Sequence, residues 1–123
     1  MAPRIKISER QIGDVTLLDL HGRLVLDEGD TSCVERIDAL VRQNRVRIIL
    51  NLEDVTYIDS AGVGAIVAKY VTVRNRGGDL KLLRLSERVR RVISIARLLA
   101  VFEAFESEEL AIRSFDSLHH TTL

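Results

Sequence analysis

The segment that decides the fold is VRIILNLEDVTYIDSAGVG, residues 46 to 64. It begins with a β-branched run, residues 46–52, that is apolar on nearly both faces at its centre, which is typical of a central strand covered on two sides. A turn at Glu53-Asp54 is expected to lead into a second extended piece at residues 55–58. Beyond Asp59 the apolar residues return at helical spacing as far as Gly77-Gly78, which predicts a long helix.

Two shorter strands and a first helix are expected before this segment. Residues 5–7 and 15–20 are strand-like, and Gly13-Asp14 between them suits a tight turn with positive backbone φ, so the sequence predicts an N-terminal hairpin. A polar acidic loop then leads to Ser32, which together with Glu35 has the S-x-x-E form of a helix capping box. The apolar face of the predicted helix consists of Val34, Ile37, Leu40 and Val41.

Two further strands and two further helices are expected after Gly77-Gly78. Residues 80–85 and 103–105 are strand-like, the latter as a short edge strand. Ser86-Glu87 is expected to begin a third helix with the inward positions Val89, Val92, Ile93 and Ala96. Ser107 is expected to begin a fourth helix that buries Leu110, Ala111, Phe115 and Leu118. The alternation of strands and helices predicts an α/β fold, a mixed β-sheet of four to five strands with about four amphipathic helices packed on it.

The overall composition limits both the size and the function of the protein. A length of 123 residues favours one domain, with a core of about residues 5–117 and a flexible tail at 118–123. The 18 basic and 18 acidic side chains balance, so no net field is available to hold a nucleic acid or an anionic membrane. The longest uncharged stretch, residues 60–68, is too short for membrane insertion, and the N-terminus lacks an apolar signal core, which favours a cytoplasmic protein. With one cysteine and three histidines, and no zinc spacing among them, no metal or other cofactor is expected.

Ser60 is the main functional candidate. It lies at a strand-to-helix junction, where the first backbone N–H groups of a helix lack partners and attract anions. The alternative is that Ser60 or Asp59 serves only as the N-cap of the helix. Gly62 and Gly64 each cost roughly 1 kcal/mol relative to alanine inside a helix. Either close packing against the sheet or a low surface that a partner can approach would compensate for this cost.

Residues 51–64, NLEDVTYIDSAGVG, resemble the signature of the bacterial anti-sigma factor antagonists of the STAS domain family. The element Asp59-Ser60-Ala61-Gly62 after an apolar strand carries most of this resemblance. The similarity continues in the same order through Gly22, residues 76–78 and 80–85, and residues 86–96, 98–99 and 102. It covers nearly the whole chain and implies a single STAS-type domain over residues 1–123.

The resemblance also implies a switch protein without catalytic activity of its own. In this family the serine that matches Ser60 is phosphorylated by a partner that is both an anti-sigma factor and an ATP-dependent serine kinase. The unphosphorylated protein binds that partner and frees its sigma factor, and a PP2C-type phosphatase reverses the modification. No direct contact with nucleic acid is implied, and the protein is expected to be a monomer or a weak homodimer. The expected partner contacts are Asp59, Ser60, Ala61, Gly62 and Val63 at the helix start, and Asp27, Glu28 and Asp30 in the acidic loop.

Two departures from the common family pattern bear on the identity of the partner. Ala61 replaces a second serine that is often found there, which leaves Ser60 as the acceptor. The family often shows G-x-L-D after the first glycine, whereas Val25 follows Gly22-Arg23-Leu24 here and the acidic loop is slightly longer. Since this loop is expected to flank Ser60, both differences affect the surface that a partner would meet.

Two other functions compete with the antagonist function. A STAS docking module of a lipid-transport system or of a multi-protein stress-sensing complex would use the Ser60 end without this phospho-switch. A small hydrolase with Ser60 as nucleophile is disfavoured, because the G-x-S-x-G elbow is absent and no histidine is placed by sequence to act as its base.

The remaining reactive or charged residues are expected to be structural. Cys33 is expected to pack in the core, with redox sensing as the less favoured alternative. His21 is expected to be structural or at the surface. The arginines at positions 84, 88, 90 and 91 are expected to form a solvated face, with steering of a partner as the alternative.

Overall fold

The structure is a computed structural model that describes residues 5–98 and 100–116. This part of the chain forms a mixed sheet of five strands and four helices, which confirms the predicted fold class. The strands are β1 Lys6–Ile12, β2 Val15–Leu24, β3 Arg47–Ile58, β4 Asp79–Leu83 and β5 Ala104–Phe105. The helices are α1 Ser32–Arg42, α2 Ser60–Asn75, α3 Glu87–Ile95 and α4 Glu108–Asp116, and a short 3-10 turn, Leu26–Glu28, precedes α1.

The sheet has the order β1-β2-β3-β4-β5, with β1 antiparallel to β2 and the other pairs parallel. The predicted hairpin is confirmed, and Gly13 with φ of 60° supplies its turn. β3 is central, as its two-sided apolar pattern predicts, and Ile48, Ile49 and Leu50 are completely buried. The larger apolar cluster includes residues of α1, α2 and α3, and a smaller one includes Ala111 and Phe115 of α4.

The prediction of a turn at Glu53-Asp54 is wrong, because β3 continues through these two residues to Ile58. β2 extends to Leu24 and stays paired with β3 over this stretch, with register irregularities on both sides of His21-Gly22. The irregularity lets two consecutive exposed residues, Glu53 and Asp54, lie between the buried Leu52 and Val55. The local polar pair therefore marks a bulge and not the end of the strand.

Several helix details also differ from expectation. The prediction of a capping box at Ser32 and Glu35 is wrong. Thr31 is the N-cap residue, and its hydroxyl contacts the Glu35 carboxylate. The Ser32 hydroxyl instead donates to Asp30 Oδ1 at 2.6 Å. Ala96 is exposed because α3 ends one residue before it.

In α4 the inward face consists of Ala111 and Phe115, as predicted, whereas Leu110 lies on the outer side and is 54% exposed. Leu118 and the tail expected at residues 118–123 lie outside the described residues.

Ionic contacts join α4 to the sheet. The Arg10 guanidinium bridges two carboxylates, with Nε 2.6 Å from Asp19 Oδ2 and Nη2 2.7 Å from Glu108 Oε1. Burial raises the pKa of Asp19, but hydrogen bonds from Arg10 and Asn51 outweigh this effect and hold it below its usual value. The hydrogen bond from Arg10 likewise lowers the pKa of Glu108. Lys81 of β4 is completely buried and donates to Ser114 Oγ of α4 at 2.6 Å.

Candidate functional site

Ser60 is the first residue of α2 and is exposed to solvent. The preceding residue, Asp59, is the N-cap of the helix, with an extended backbone and a carboxylate whose Oδ1 accepts a hydrogen bond from Gly62 N at 2.6 Å. Asp59 therefore provides the capping function that the sequence left open between the two residues. Within the described chain no group forms a hydrogen bond with the Ser60 hydroxyl. The hydroxyl is thus free to react or to meet a partner.

The second oxygen of Asp59 ties the acidic loop to the same helix end. Oδ2 accepts a hydrogen bond from Asp27 N at 2.9 Å, while the Asp59 backbone N–H donates to Leu24 O at 3.2 Å. The loop after β2 and the start of α2 are therefore joined by one carboxylate. This link spans 32 residues of sequence, so no local pattern could reveal it.

The two glycines in the first turns of α2 have different explanations. A Cβ at Gly62 would lie 2.8 Å from Leu24 O and 3.0 Å from Ile58 Cγ1, so only glycine lets the helix approach β2 and β3 this closely. A Cβ at Gly64 would have no atom within 4 Å. Gly62 serves packing, whereas Gly64 lies on an open and low surface next to Ser60.

The acidic loop divides into exposed and buried residues. Asp27 and Glu28 are exposed, and Arg23 Nη2 lies 3.3 Å from Glu28 Oε2. Asp30 is only 7% exposed, and its carboxylate accepts hydrogen bonds from Ile5 N at 2.8 Å and from Ser32. Asp30 thus joins Ile5, the residue before β1, to the start of α1, and its burial leaves little of its side chain for a partner to contact. The other loop residues remain candidates.

The apolar residues of the predicted site lie partly beneath its surface. Ala61 and Val63 are half-buried, and Val63 packs against the main apolar cluster. The part of the site that a partner can reach therefore consists of Ser60, Gly64, Asp27 and Glu28, bordered by half-buried side chains.

The sequence did not reveal two features near this site. Arg23 lies over the ring of Tyr57, 5.2 Å from its centroid, because β2 and β3 pair these residues side by side. The same strand pairing places His21 Nδ1 at 3.1 Å from Asp54 Oδ2, and His21 is exposed, as expected. Neither contact could be inferred before the register of the two strands was known.

Cys33 packs in the core, which agrees with the favoured hypothesis. It is 2% exposed, and burial, assisted by the negative charge of Asp30, raises the pKa of its thiol to about 12. Such a thiol is almost entirely protonated at neutral pH and is a poor nucleophile. Within residues 5–98 and 100–116, no group of three histidine, cysteine or acidic side chains could hold a metal ion. No helix in the same ranges is long and apolar enough to cross a bilayer.

The arginines predicted to form a solvated face are only partly paired. Arg84, Arg90 and Arg91 approach the carboxylates of Glu53, Glu106 and Glu87 at 3.4, 2.7 and 3.6 Å. Arg88 is exposed and forms no ion pair within the described residues.

Known proteins that are similar in sequence to this chain include anti-sigma factor antagonists. A relative, the anti-sigma F factor antagonist of Paenibacillus polymyxa, is 22% identical over 102 residues, which is 83% of this chain and 87% of that protein. The anti-sigma-B factor antagonist of Bacillus subtilis is 40% identical over 58 residues, 47% of this chain and 53% of that one.

Among solved structures, the anti-sigma factor antagonist SpoIIAA in its unphosphorylated form superposes with a TM-score of 0.67 at 25% identity, covering 89% of this chain and 95% of that one. The Bacillus protein in its phosphorylated form gives a TM-score of 0.69 at 23% identity, with coverage of 89% and 98%. The sequence model of the STAS domain matches residues 6–111. The chain therefore belongs to the STAS domain family.

Proposed function

We propose that this protein is an anti-sigma factor antagonist controlled by phosphorylation of Ser60. The unphosphorylated form binds an anti-sigma factor that is also an ATP-dependent serine kinase, and thereby releases the sigma factor. Phosphorylation by that kinase ends the binding, and a PP2C-type phosphatase restores it. The observation that carries this proposal is the exposed and unbonded hydroxyl of Ser60 beside a neighbour, Asp59, that already caps the helix.

The folded domain can accept a phosphate at this position. The first turn of α2 contains no acidic residue, and its backbone N–H groups are the positive end of the helix dipole. A phosphoserine there adds about −1.5 to −2 charges, which a helix N-terminus stabilises. Because the Ser60 hydroxyl forms no hydrogen bond with any of the described residues, its modification breaks none of their contacts.

The same charge is unfavourable in a protein interface. The phosphate would join the carboxylates of Asp59, Asp27 and Glu28, all carried by two segments that Asp59 holds together. A partner surface that fits a neutral hydroxyl would have to desolvate a dianion next to these carboxylates. A difference of about 3 kcal/mol between the two forms weakens binding roughly a hundredfold.

The relatives support this proposal. Two of them are named as antagonists of anti-sigma factors, and SpoIIAA has been solved with and without phosphate on the same fold. The names of these relatives describe antagonists of anti-sigma factors, and the proposal assigns this chain the same kind of role, that of a binding protein without catalytic activity of its own.

Affinity capture from the native cells tests the proposal, with Ser60→Ala and Ser60→Asp as the two baits and retained proteins identified by mass spectrometry. We expect an ATP-binding anti-sigma kinase on the Ser60→Ala bait and its loss from the Ser60→Asp bait. Ser94→Asp, at an exposed serine of α3, is the control for the added charge and should retain the kinase. If both Ser60 baits retain the same transporter or large-complex subunits, the docking-module alternative replaces the antagonist function.

A further inference from the structure

A cleft between two arginines opens at the end of the sheet opposite Ser60. Its volume is about 260 Å³, and it is lined by Arg47, Arg74, Gly77, Gly78, Asp79 and Phe115. Arg47 is the first residue of β3 and pairs with Asp79, the first residue of β4, whereas Ser60 lies just beyond the other end of β3. At about 3.3 Å per residue, the strand puts roughly 35 Å between this cleft, the Arg47–Arg74 cleft, and Ser60.

Arg47 lacks the hydrogen bonds that a partly buried arginine usually makes. Its side chain is 29% exposed, and within the described residues its guanidinium makes one ion contact, Nη1 to Asp14 Oδ2 at 3.2 Å, and no hydrogen bond. Arg45 is equally exposed, at 30%, but its guanidinium donates to four side chains, those of Glu9, Gln11, Gln43 and Thr16. Because a guanidinium carries five N–H groups, Arg47 has donors available for an acceptor in the cleft.

Arg74 lines the same cleft from the last turn of α2. Its Nη1 donates to Asp79 Oδ2 at 3.3 Å, and its guanidinium carbon lies 6.0 Å from the centroid of the Tyr70 ring. The Asp79 side chain is 8% exposed, and its Oδ1 accepts a hydrogen bond from Leu80 N at 2.9 Å. The buried carboxylate therefore positions Arg74, while the remaining N–H groups of Arg74 have no acceptor among the described residues.

Two glycines contribute backbone but no side chain to the lining. A Cβ at Gly78 would lie 2.0 Å from Val46 O, and the Asp79 N–H donates to the same oxygen at 2.9 Å, so only glycine lets the turn after α2 lie against the start of β3. A Cβ at Gly77 would meet no atom within 4 Å. The cleft is thus open on the glycine side, and Phe115 of α4 gives it an apolar wall.

We propose that the Arg47–Arg74 cleft binds the carboxylate group of a small organic acid, with the apolar part of the acid against Phe115. The charged lining residues are two arginines and one aspartate, so a single negative charge on the ligand balances them. The planar fork of a guanidinium matches the two oxygens of a carboxylate. Drug-sized ligands occupy about 300–1,000 Å³, so a cleft of about 260 Å³ suits a smaller molecule.

Asp14 competes with such a ligand for Arg47. Its side chain is 71% exposed, and ion pairs with this much contact with water contribute little free energy. A carboxylate held by Arg47 and Arg74 together can therefore displace it. The inference does not depend on the proposed function, because it involves neither Ser60 nor the acidic loop.

Benzoate is the probe for the test, with benzamide as the uncharged molecule of the same shape and phenyl phosphate as the dianion. Amide chemical shifts of the ¹⁵N-labelled full chain, which includes residues 117–123 after α4, are followed during titration at neutral pH. We expect benzoate to shift the amides of residues 47, 74, 77–79 and 115 and to saturate in the millimolar range. Benzamide should leave these amides unchanged, and phenyl phosphate should bind no more tightly than benzoate.

Variants assign the binding to the cleft. Arg47→Gln should weaken benzoate binding about tenfold, because one of the two cations is lost. Asp14→Asn should strengthen it roughly threefold, because the competing carboxylate is gone. Asp14 lies in the exposed hairpin turn, where asparagine is equally suitable, so this variant tests the inference even if Arg47→Gln fails to fold. Arg88→Gln is the matched control and should change nothing, since Arg88 is exposed and forms no ion pair within the described residues.

Four results would overturn the inference. Benzoate shifts amides scattered over the surface without saturation, which is adventitious binding only, or benzamide shifts the cleft amides equally. Phenyl phosphate binds more tightly than benzoate, which assigns the cleft to phosphate groups. The fourth is that Asp14→Asn and a folded Arg47→Gln both bind benzoate as the unmodified chain does. Ser60→Asp should bind benzoate normally, so failure here is distinguishable from failure of the phospho-switch.

Discussion

The substitution Asp59→Asn should remove one of the two hydrogen bonds that the Asp59 carboxylate accepts and keep the other. In the protein Oδ1 accepts from Gly62 N at 2.6 Å and Oδ2 accepts from Asp27 N at 2.9 Å. Asparagine keeps one carbonyl oxygen and caps helices about as well as aspartate does. Its amide group then faces the N–H of Asp27, so that two donors oppose each other. We expect the helix cap to remain and the link to the acidic loop to be lost.

The size of the effect follows from these bonds. Loss of the hydrogen bond from Asp27 to a charged acceptor, at an exposed loop, should lower the free energy of unfolding by about 1–2 kcal/mol. Asp59→Ala removes the cap as well, which adds about 1 kcal/mol. The alanine variant should therefore be less stable than the asparagine variant by about the value of one helix cap.

Urea denaturation and amide hydrogen exchange measure the two effects separately. In Asp59→Asn the Asp27 amide should exchange faster, whereas the Gly62 amide should keep its protection; in Asp59→Ala both should exchange faster. Asp54→Asn is the control, because it removes an exposed aspartate without a link to α2. The reasoning is refuted if Asp59→Asn leaves the Asp27 amide protected and the stability unchanged, or if the asparagine and alanine variants are equally unstable.

Two further predictions concern packing and pH. Gly62→Ala should destabilise the protein by about 1–2 kcal/mol, because its Cβ would lie 2.8 Å from a backbone oxygen, whereas Gly64→Ala should stabilise it by up to about 1 kcal/mol through helix propensity. Equal effects of both changes on the urea midpoint would contradict the close approach at Gly62. The pKa values of Asp19 and Glu108 are lower in the folded protein than the unfolded-state values of about 4, so the ionised carboxylates stabilise the fold when the pH is above about 4. This stabilisation should be lost as the pH falls through the lowered pKa values. Arg10→Gln should reduce this loss in denaturation curves recorded from pH 6 to pH 2, and an unchanged pH dependence would show that the bridge contributes nothing.

Periodicity in the sequence was sufficient to identify most elements of the fold. The hairpin, the central strand and the long α2 all follow from local spacing, because burial of one face imposes that spacing directly. In α4 the spacing identified Ala111 and Phe115 as buried but wrongly included Leu110. The errors lie where pairing between distant segments decides the outcome. Glu53-Asp54 has the composition of a turn, but continued pairing with β2 keeps it within β3.

The candidate site was predicted in position but not in its internal connections. The sequence placed Ser60 at the junction of strand and helix, where the structure has it. It could not show that Asp30 is structural, because one of the groups that donate to its carboxylate is the N–H of Ile5, 25 residues away. The bond between Asp59 and the acidic loop, and the burial of Lys81 beneath α4, depend in the same way on contacts between elements far apart in sequence.

The most direct test of the central claim is the affinity of the captured kinase for this protein with and without phosphate on Ser60. The purified kinase and ATP are used to phosphorylate the chain, the modified residue is mapped by mass spectrometry, and both forms are titrated against the kinase by calorimetry. We predict phosphate on Ser60 alone, no phosphorylation of Ser60→Ala, and binding roughly a hundredfold weaker for the phosphorylated form. Phosphate on another residue, or equal affinity of the two forms, would contradict the account.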